Sequence, residues 1–275
     1  MAGYQNMKDC CPPGAEPLLI MEDYTAKGSL IAIEDVECYV SWPTEAPVCA
    51  VIVFQDIFGI HSGRHKQFCD MLAERGYGAV APDFTGRDPI VKNPPKFGAS
   101  CGCFLSFCTA FLNGNYKRKT AQLSWDASMG RIVLDCVVPW IKQKGVAKLV
   151  TVGFCFGSYG AMHCGRFPDI FSCNASFHPS TEGFCKATKE DDLALCRAVR
   201  APQLVVATSM ESQRWRPGGD AQKACEESGT ATVWLLEKKQ RHGFMMRGNT
   251  SNTETLAAIR KYMDTMLQFF EANVR

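Results

Sequence analysis

The pattern of apolar runs predicts an α/β fold with a mostly parallel central sheet and helices on both faces. Three observations carry this. Runs such as "VCAVIVFQD" (48–56) and "VAKLVTVGF" (146–154) are continuously apolar rather than alternating, as strands buried on both faces are. Other stretches place apolar residues at helical spacing, as in "GRHKQFCDMLAERGYG" (63–78). The two patterns alternate along the chain, which parallel strands joined by helical crossovers require.

Taken in order, residues 1–28 contain Pro and Gly without periodicity and read as an irregular lead-in. Residues 29–275 read as a single domain, a size ordinary for large α/β folds. "DVECYVSWP" (35–43) is a strand ending at Pro43, and 48–56 is the next. The helix at 63–78 turns Phe68, Met71 and Leu72 inward and stops at Gly76. "YGAVAPD" (77–83) is a strand, and "VKNPPKFGASCGCF" (91–104) is an irregular loop placed to cover a site. A helix over 121–143 carries Trp125, Met129, Ile132, Val133, Cys136, Val137 and Ile141, bent or shortened by Pro139. Strands follow at 146–154, 171–178, 202–209 and 230–237. The final helix, 251–272, has Ser251 and Glu254 at capping-box spacing and an apolar face of Leu256, Ile259, Met263, Met266, Leu267 and Phe270.

Composition narrows the function. Of 275 residues, 46% are hydrophobic and 21% charged, which supports a sizeable core. The net charge is +2 and the basic residues are dispersed, so neither nucleic acid nor an anionic membrane is expected as a partner. The N-terminus lacks a basic region followed by an apolar one, so no signal peptide is expected. The 15 cysteines are odd in number, and Cys38, Cys49, Cys136 and Cys173 lie in apolar runs. They read as buried, reduced thiols in a cytoplasmic protein rather than as a disulfide framework.

In open α/β sheets, ligands bind beyond the C-terminal ends of the strands. That edge holds Gln55–Ile57, Asp83–Arg87, Cys155, His178, Met210–Glu211 and Gln240–His242. Cys155 lies in "LVTVGFCFGSYGAM" (149–162), where a strand runs into a Gly-rich turn. A dinucleotide loop needs G-x-G-x-x-G, but Cys155 occupies the first Gly position, and no P-loop Lys follows. "CGC" (101–103), Cys108 and "CC" (10–11) do not pair as zinc knuckles, and His61 and His65 in "HSGRH" have no acid between them, so no metal is expected. Gly153-Phe154-Cys155-Phe156-Gly157 does match the nucleophile elbow G-x-S-x-G with Cys for Ser. Such a turn crowds its backbone, which accounts for the flanking glycines, and aims a helix N-terminus at the thiol. The pattern also suits a buried Cys on a tight turn, so its partners decide.

On elbow folds the chain order is nucleophile, acid, histidine. His242 in "RHGFMMR" is the base expected near the C-terminus. Glu211, just beyond the strand at 202–209, is the acid; Asp220 is the alternative, though it can equally cap the next helix.

With "VIVFQDIFGIH", "PDFTGR", "VGFCFGSYGA", "FHPS" and "HGF" in this order over roughly residues 30–272, the chain resembles the dienelactone hydrolase family of α/β-hydrolases, and its eukaryotic branch in particular. The resemblance implies an α/β-hydrolase fold and a cysteine-nucleophile hydrolase of small esters and lactones, opening enol-lactones through a thioester as carboxymethylenebutenolidase does. It places the nucleophile on Cys155, the base on His242 and the acid, normally Asp, on Glu211. The family carboxylate beside the resting thiol falls on Asp56, one methylene shorter than the usual Glu. The oxyanion amides fall on Ile57 and Phe156, and the arginines that hold a substrate carboxylate fall on Arg87 and Arg247, the latter displaced by one residue. It implies no metal or organic cofactor, a small carboxylate-bearing substrate, and a monomer or small homo-oligomer. The carboxylate departures at 56 and 211 keep open a non-catalytic relative that binds a small acid or senses thiol state, and a glycan hydrolase is the remote alternative.

Overall fold

The computed structural model describes residues 24–90 and 115–274. They form two compact units divided between Ala147 and Lys148. The loop expected at 91–104 lies outside the described residues.

In the first unit, β1 (Ser29–Ile33), β2 (Val36–Ser41), β3 (Ala50–Phe54) and β4 (Gly78–Pro82) lie in the order β1-β2-β4-β3. The β1–β2 and β2–β4 pairs are antiparallel and β3–β4 is parallel. Every residue of β3 and β4 is buried, as their unbroken apolar runs require. β1 has no counterpart in the sequence reading. It is an edge strand whose residues are mostly exposed, so it lacks the buried run that marks its neighbours. α1 (His65–Ala73) packs on β4 and β2 and buries Phe68, Cys69 and Leu72. Its Asp70 ties down the preceding segment, accepting from the Tyr24 and Tyr39 hydroxyls and from the Lys27 and Gly28 amides.

The helix expected over 121–143 is broken into pieces. α2 (Asn115–Gln122) ends, and Ser124 restarts the chain by accepting from the Ala127 amide at 3.3 Å. Two wide-turned segments follow, Trp125–Met129 and Ile132–Val137, before α3 (Val138–Gln143). Pro139 sits in the first turn of α3, where its missing N–H is least costly.

In the second unit, β5 (Leu149–Phe154), β6 (Phe171–Phe177), β7 (Gln203–Thr208) and β8 (Thr232–Glu237) are all parallel and lie in that order. α4 (Gly157–Cys164), α5 (Thr181–Thr188), α6 (Asp192–Ala198), α7 (Asp220–Glu227), α8 (Phe244–Arg247) and α9 (Thr253–Val274) complete it. The register pairs Phe154 with Phe177, Phe177 with Val206 and Thr208 with Glu237. The four strands therefore end together, and the segments after them share one edge. The capping box expected at Ser251 is corrected: the Asn252 carboxamide oxygen accepts from the Glu254 and Thr255 amides, at 2.9 and 3.1 Å. Glu254 turns away to pair with Lys239 at 2.7 Å. Among the described residues, no helix is long and apolar enough to cross a membrane.

Candidate active site

The elbow begins with a steric constraint. A Cβ on Gly153 would lie 2.4 Å from the Gly157 carbonyl oxygen and 2.6 Å from the Ser158 nitrogen. Both are backbone atoms that cannot step aside, so the chain passes this close to itself only with glycine. Cys155, at the apex, takes a φ of +56°, which costs a non-glycine residue roughly 1–2 kcal/mol. Gly153→Ala is expected to unfold the elbow rather than trim it. A drop in melting temperature of about 10 °C or more follows from a loss of several kcal/mol, and a melting curve matching wild type would contradict the close approach.

Hydrogen bonds hold the apex in place. The Cys155 amide donates to the Phe177 carbonyl at 3.1 Å, and its carbonyl accepts from the Ser158 and Ser180 amides at 3.2 and 3.0 Å. α4 starts at Gly157, so its N-terminus opens beside the thiol, and the Phe156 amide donates to no backbone carbonyl among the described residues. Cys155 is buried, and its Sγ lies 3.3 Å from the Ser180 hydroxyl.

His242, between β8 and α8, is also buried, and its Nδ1 lies 2.7 Å from Glu211 Oε1. Glu211 follows β7 directly and also accepts from the Thr208 amide, which fixes its carboxylate. Its extra methylene is thus accommodated at the strand end. Asp220 is elsewhere, in the first turn of α7 with Gly219 as the cap. The Nε2 of His242 has no partner in normal hydrogen-bond geometry among the described residues, and Cys155 is the neighbour that acts on it. Burial opposes a charged imidazole, but the charge and hydrogen bonding of Cys155, reinforced by Glu211, outweigh it and push His242 up to about 10. A thiol and a carboxylate beside one buried imidazole both favour its charged form.

The sequence reading leaves two residues at this edge without a role. His178, to which the sequence assigns no role, adopts a φ of +40° and packs edge-on against the His242 ring at 4.9 Å and against Phe244 at 5.8 Å. Both of its ring nitrogens are buried without a hydrogen-bond partner among the described residues. Burial and the positive charge of His242 hold it well below the usual histidine range, so it stays neutral. Ser180 gives no signal of its own in the sequence beyond its place in "FHPS". A groove lined by Pro179, Glu182, Met210, Ser212 and Trp215 reaches His242 and Glu211.

The arginines fare differently. Arg87 is two-thirds exposed, and its guanidinium is bonded to the Glu37 carboxylate through both Nε and Nη2. Glu37, His61 and Asp83 bring ligand-type atoms within 4.8 Å of one another, but Arg87 already neutralises Glu37, so the cluster is an ion-pair network. Arg247, on α8, is buried and close enough for its charge to act on His178. In the first unit, Asp56 is buried and accepts from the Phe58 amide at 3.0 Å. Its own amide donates to His65 Nε2 at 3.1 Å, while His65 Nδ1 donates to the Ser62 carbonyl. His65 is thereby a neutral strut for the 55–62 turn, which carries Ile57.

Known proteins resemble the chain along this same framework. A carboxymethylenebutenolidase homolog of Xenopus tropicalis is 29% identical over 151 residues, covering 54% of each chain. The chain thus spans about half the length of that curated relative. A hydrolase of Talaromyces stipitatus, tropI, is 23% identical over 89% of each. A solved structure from Klebsiella pneumoniae, assigned as a dienelactone hydrolase, superposes with a TM-score of 0.64 at 18% identity, covering 89% of this chain and 98% of that one. At that identity the likeness establishes the α/β-hydrolase fold. The model of the dienelactone hydrolase family matches residues 36–274, from the first residue of β2 to the last of α9, and the chain belongs to that family.

Proposed function

We propose that the protein hydrolyses small esters and lactones with Cys155 as nucleophile. One observation carries the reading: the buried Glu211–His242 pair at 2.7 Å stands at the same strand-end edge as a thiol on a strained elbow. The imidazolium keeps Cys155 ionised, and the thiolate attacks the ring carbonyl. The oxyanion faces the Phe156 amide at the start of α4. Collapse breaks the ring C–O bond, the leaving oxygen takes a proton from His242 Nε2, and a thioester remains on Cys155. His242, now neutral and oriented by Glu211, draws a proton from water, which attacks the thioester and frees the acid. The groove beside His242 and Glu211 offers that water an approach.

The substrate carries a carboxylate, and buried Arg247 is its anchor. Arg87 is committed to Glu37 at the surface, which makes it the weaker candidate. A glycan hydrolase would need two acids at work on a sugar, and Glu211 spends its carboxylate on His242 and the Thr208 amide. The test is a hydrolysis screen of enol-lactones and aryl esters, each with and without a carboxylate. Turnover that favours the acidic members is expected. No turnover with any of them, from a protein whose Cys155 still alkylates readily, would leave the thiol-sensing relative as the better reading.

A further inference from the structure

The Ser180 hydroxyl is placed against the thiol at the expense of its ordinary role. Ser180 occupies the N-cap position of α5, where a serine side chain normally accepts from the amides of the first turn and stabilises the helix by about 1 kcal/mol. It makes no such bond. Its Oγ lies instead 3.3 Å from Cys155 Sγ, with both residues buried. The backbone locks this pairing in, because the Ser180 amide donates to the Cys155 carbonyl at 3.0 Å and the Cys155 amide donates to Phe177. Pro179, just before Ser180, fixes the chain direction into α5.

We propose that Ser180 is a further catalytic residue, a hydroxyl that donates its hydrogen to the Cys155 sulfur and holds it as the thiolate. The proposal rests on Cys155 being the nucleophile. When the proton leaves Sγ for His242 Nε2, the electron pair stays on sulfur, and Ser180 keeps its own proton and directs it at that pair. When sulfur attacks, the pair becomes the S–C bond, the carbonyl π pair moves to oxygen, and the Ser180 bond weakens. When water later breaks the S–C bond, the pair returns to sulfur and Ser180 receives it again. The hydroxyl thus favours both the resting thiolate and its expulsion from the thioester. Among the described residues of this unit, the other charged or titratable groups at this edge include His242 after β8, Glu211 after β7, His178 after β6, Glu182 on α5 and Arg247 on α8. Ser180 differs from all of them in being neutral at every pH, so it moves the thiol's ionisation without adding one of its own.

The experiment is alkylation of Cys155 by iodoacetamide across pH, read at the Cys155 peptide by mass spectrometry, in wild type, Ser180→Ala and Ser180→Thr. A hydrogen bond to a charged acceptor corresponds to a rise of about one to two units in the apparent thiol pKa of Ser180→Ala. Alkylation below the wild-type midpoint is then slower by about tenfold or more. Above the variant's midpoint its rate equals or exceeds wild type, because a thiolate freed of its donor is more nucleophilic. Ser180→Thr, which keeps the hydroxyl, restores the midpoint. An unchanged midpoint in Ser180→Ala overturns the proposal, as does slowing by one factor at every pH, which is what a packing defect gives. If Ser180→Ala does not fold, Ser180→Gly removes the same hydroxyl at a position that tolerates glycine, and the same two outcomes decide. Failure of the underlying reading looks different: Cys155→Ala would then retain wild-type turnover, whatever Ser180 does.

Discussion

Replacing Cys155 with alanine is expected to lower lactone and ester hydrolysis by about 10⁴-fold or more, because every bond made to the carbonyl carbon in acylation comes from that sulfur. Folding should survive the change. Alanine meets the same left-handed penalty at φ +56° as cysteine does, and only one sulfur atom is lost. Melting within a few degrees of wild type therefore separates lost chemistry from lost structure. Cys155→Ser is the sharper variant. Its hydroxyl has the right place but holds its proton far more tightly than a thiol, and the substitution also removes the neighbour that does most to raise His242. It should recover no more than about 1% of wild-type kcat. In the wild-type protein, intact mass under rapid quench should show Cys155 carrying the acyl group. Alanine at 155 with undiminished turnover would end the thiol mechanism outright.

The strands that position the site were legible because they are buried on both faces. Little besides a strand inside a covered sheet produces so short and unbroken an apolar, β-branched run. β3 through β8 accordingly fall within one to three residues of where they were expected. β1 was invisible because an exposed edge strand has no such run. The broken helix before β5 reads as continuous because a wide turn keeps nearly the same faces buried: Trp125, Met129, Ile132, Val133 and Ile141 all point inward as expected. Within the candidate site, Cys155, His242 and Glu211 could be singled out because strand ends and chain order constrain them. Arg87 could not be judged from sequence, since its partner Glu37 is 50 residues away and only the folded β2–β4 pairing brings the two together. The uses of Ser180 and His178 were illegible for a related reason. A serine before a helix ordinarily signals a cap. Only the missing cap bond and the 3.3 Å approach to sulfur reveal the other use.

Glu211→Gln should lower kcat by about 10³- to 10⁴-fold with little change in fold, and the cause lies in the imidazole rather than in binding. The carboxylate holds Nδ1–H at 2.7 Å, so Nε2 is the nitrogen that trades protons with sulfur, leaving group and water. A glutamine can present its amide N–H to Nδ1 instead, which puts the ring proton on Nε2 in the neutral form and leaves no base where water must be activated. The charge matters separately. Glu211 contributes to raising His242 to about 10, so removing its charge lowers that value. The imidazolium then loses its proton at lower pH, and the alkaline limb of the kcat/KM profile shifts downward. Glu211→Asp, the shorter acid usual in the family, keeps the charge but shortens the reach. It should fall between the two in kcat and leave the alkaline limb closer to wild type. Asp220→Asn, which alters only the first turn of α7, should change neither. An Asp220→Asn defect as large as that of Glu211→Gln would reassign the acid, because the 2.7 Å contact would then not be the one that orients the base during turnover.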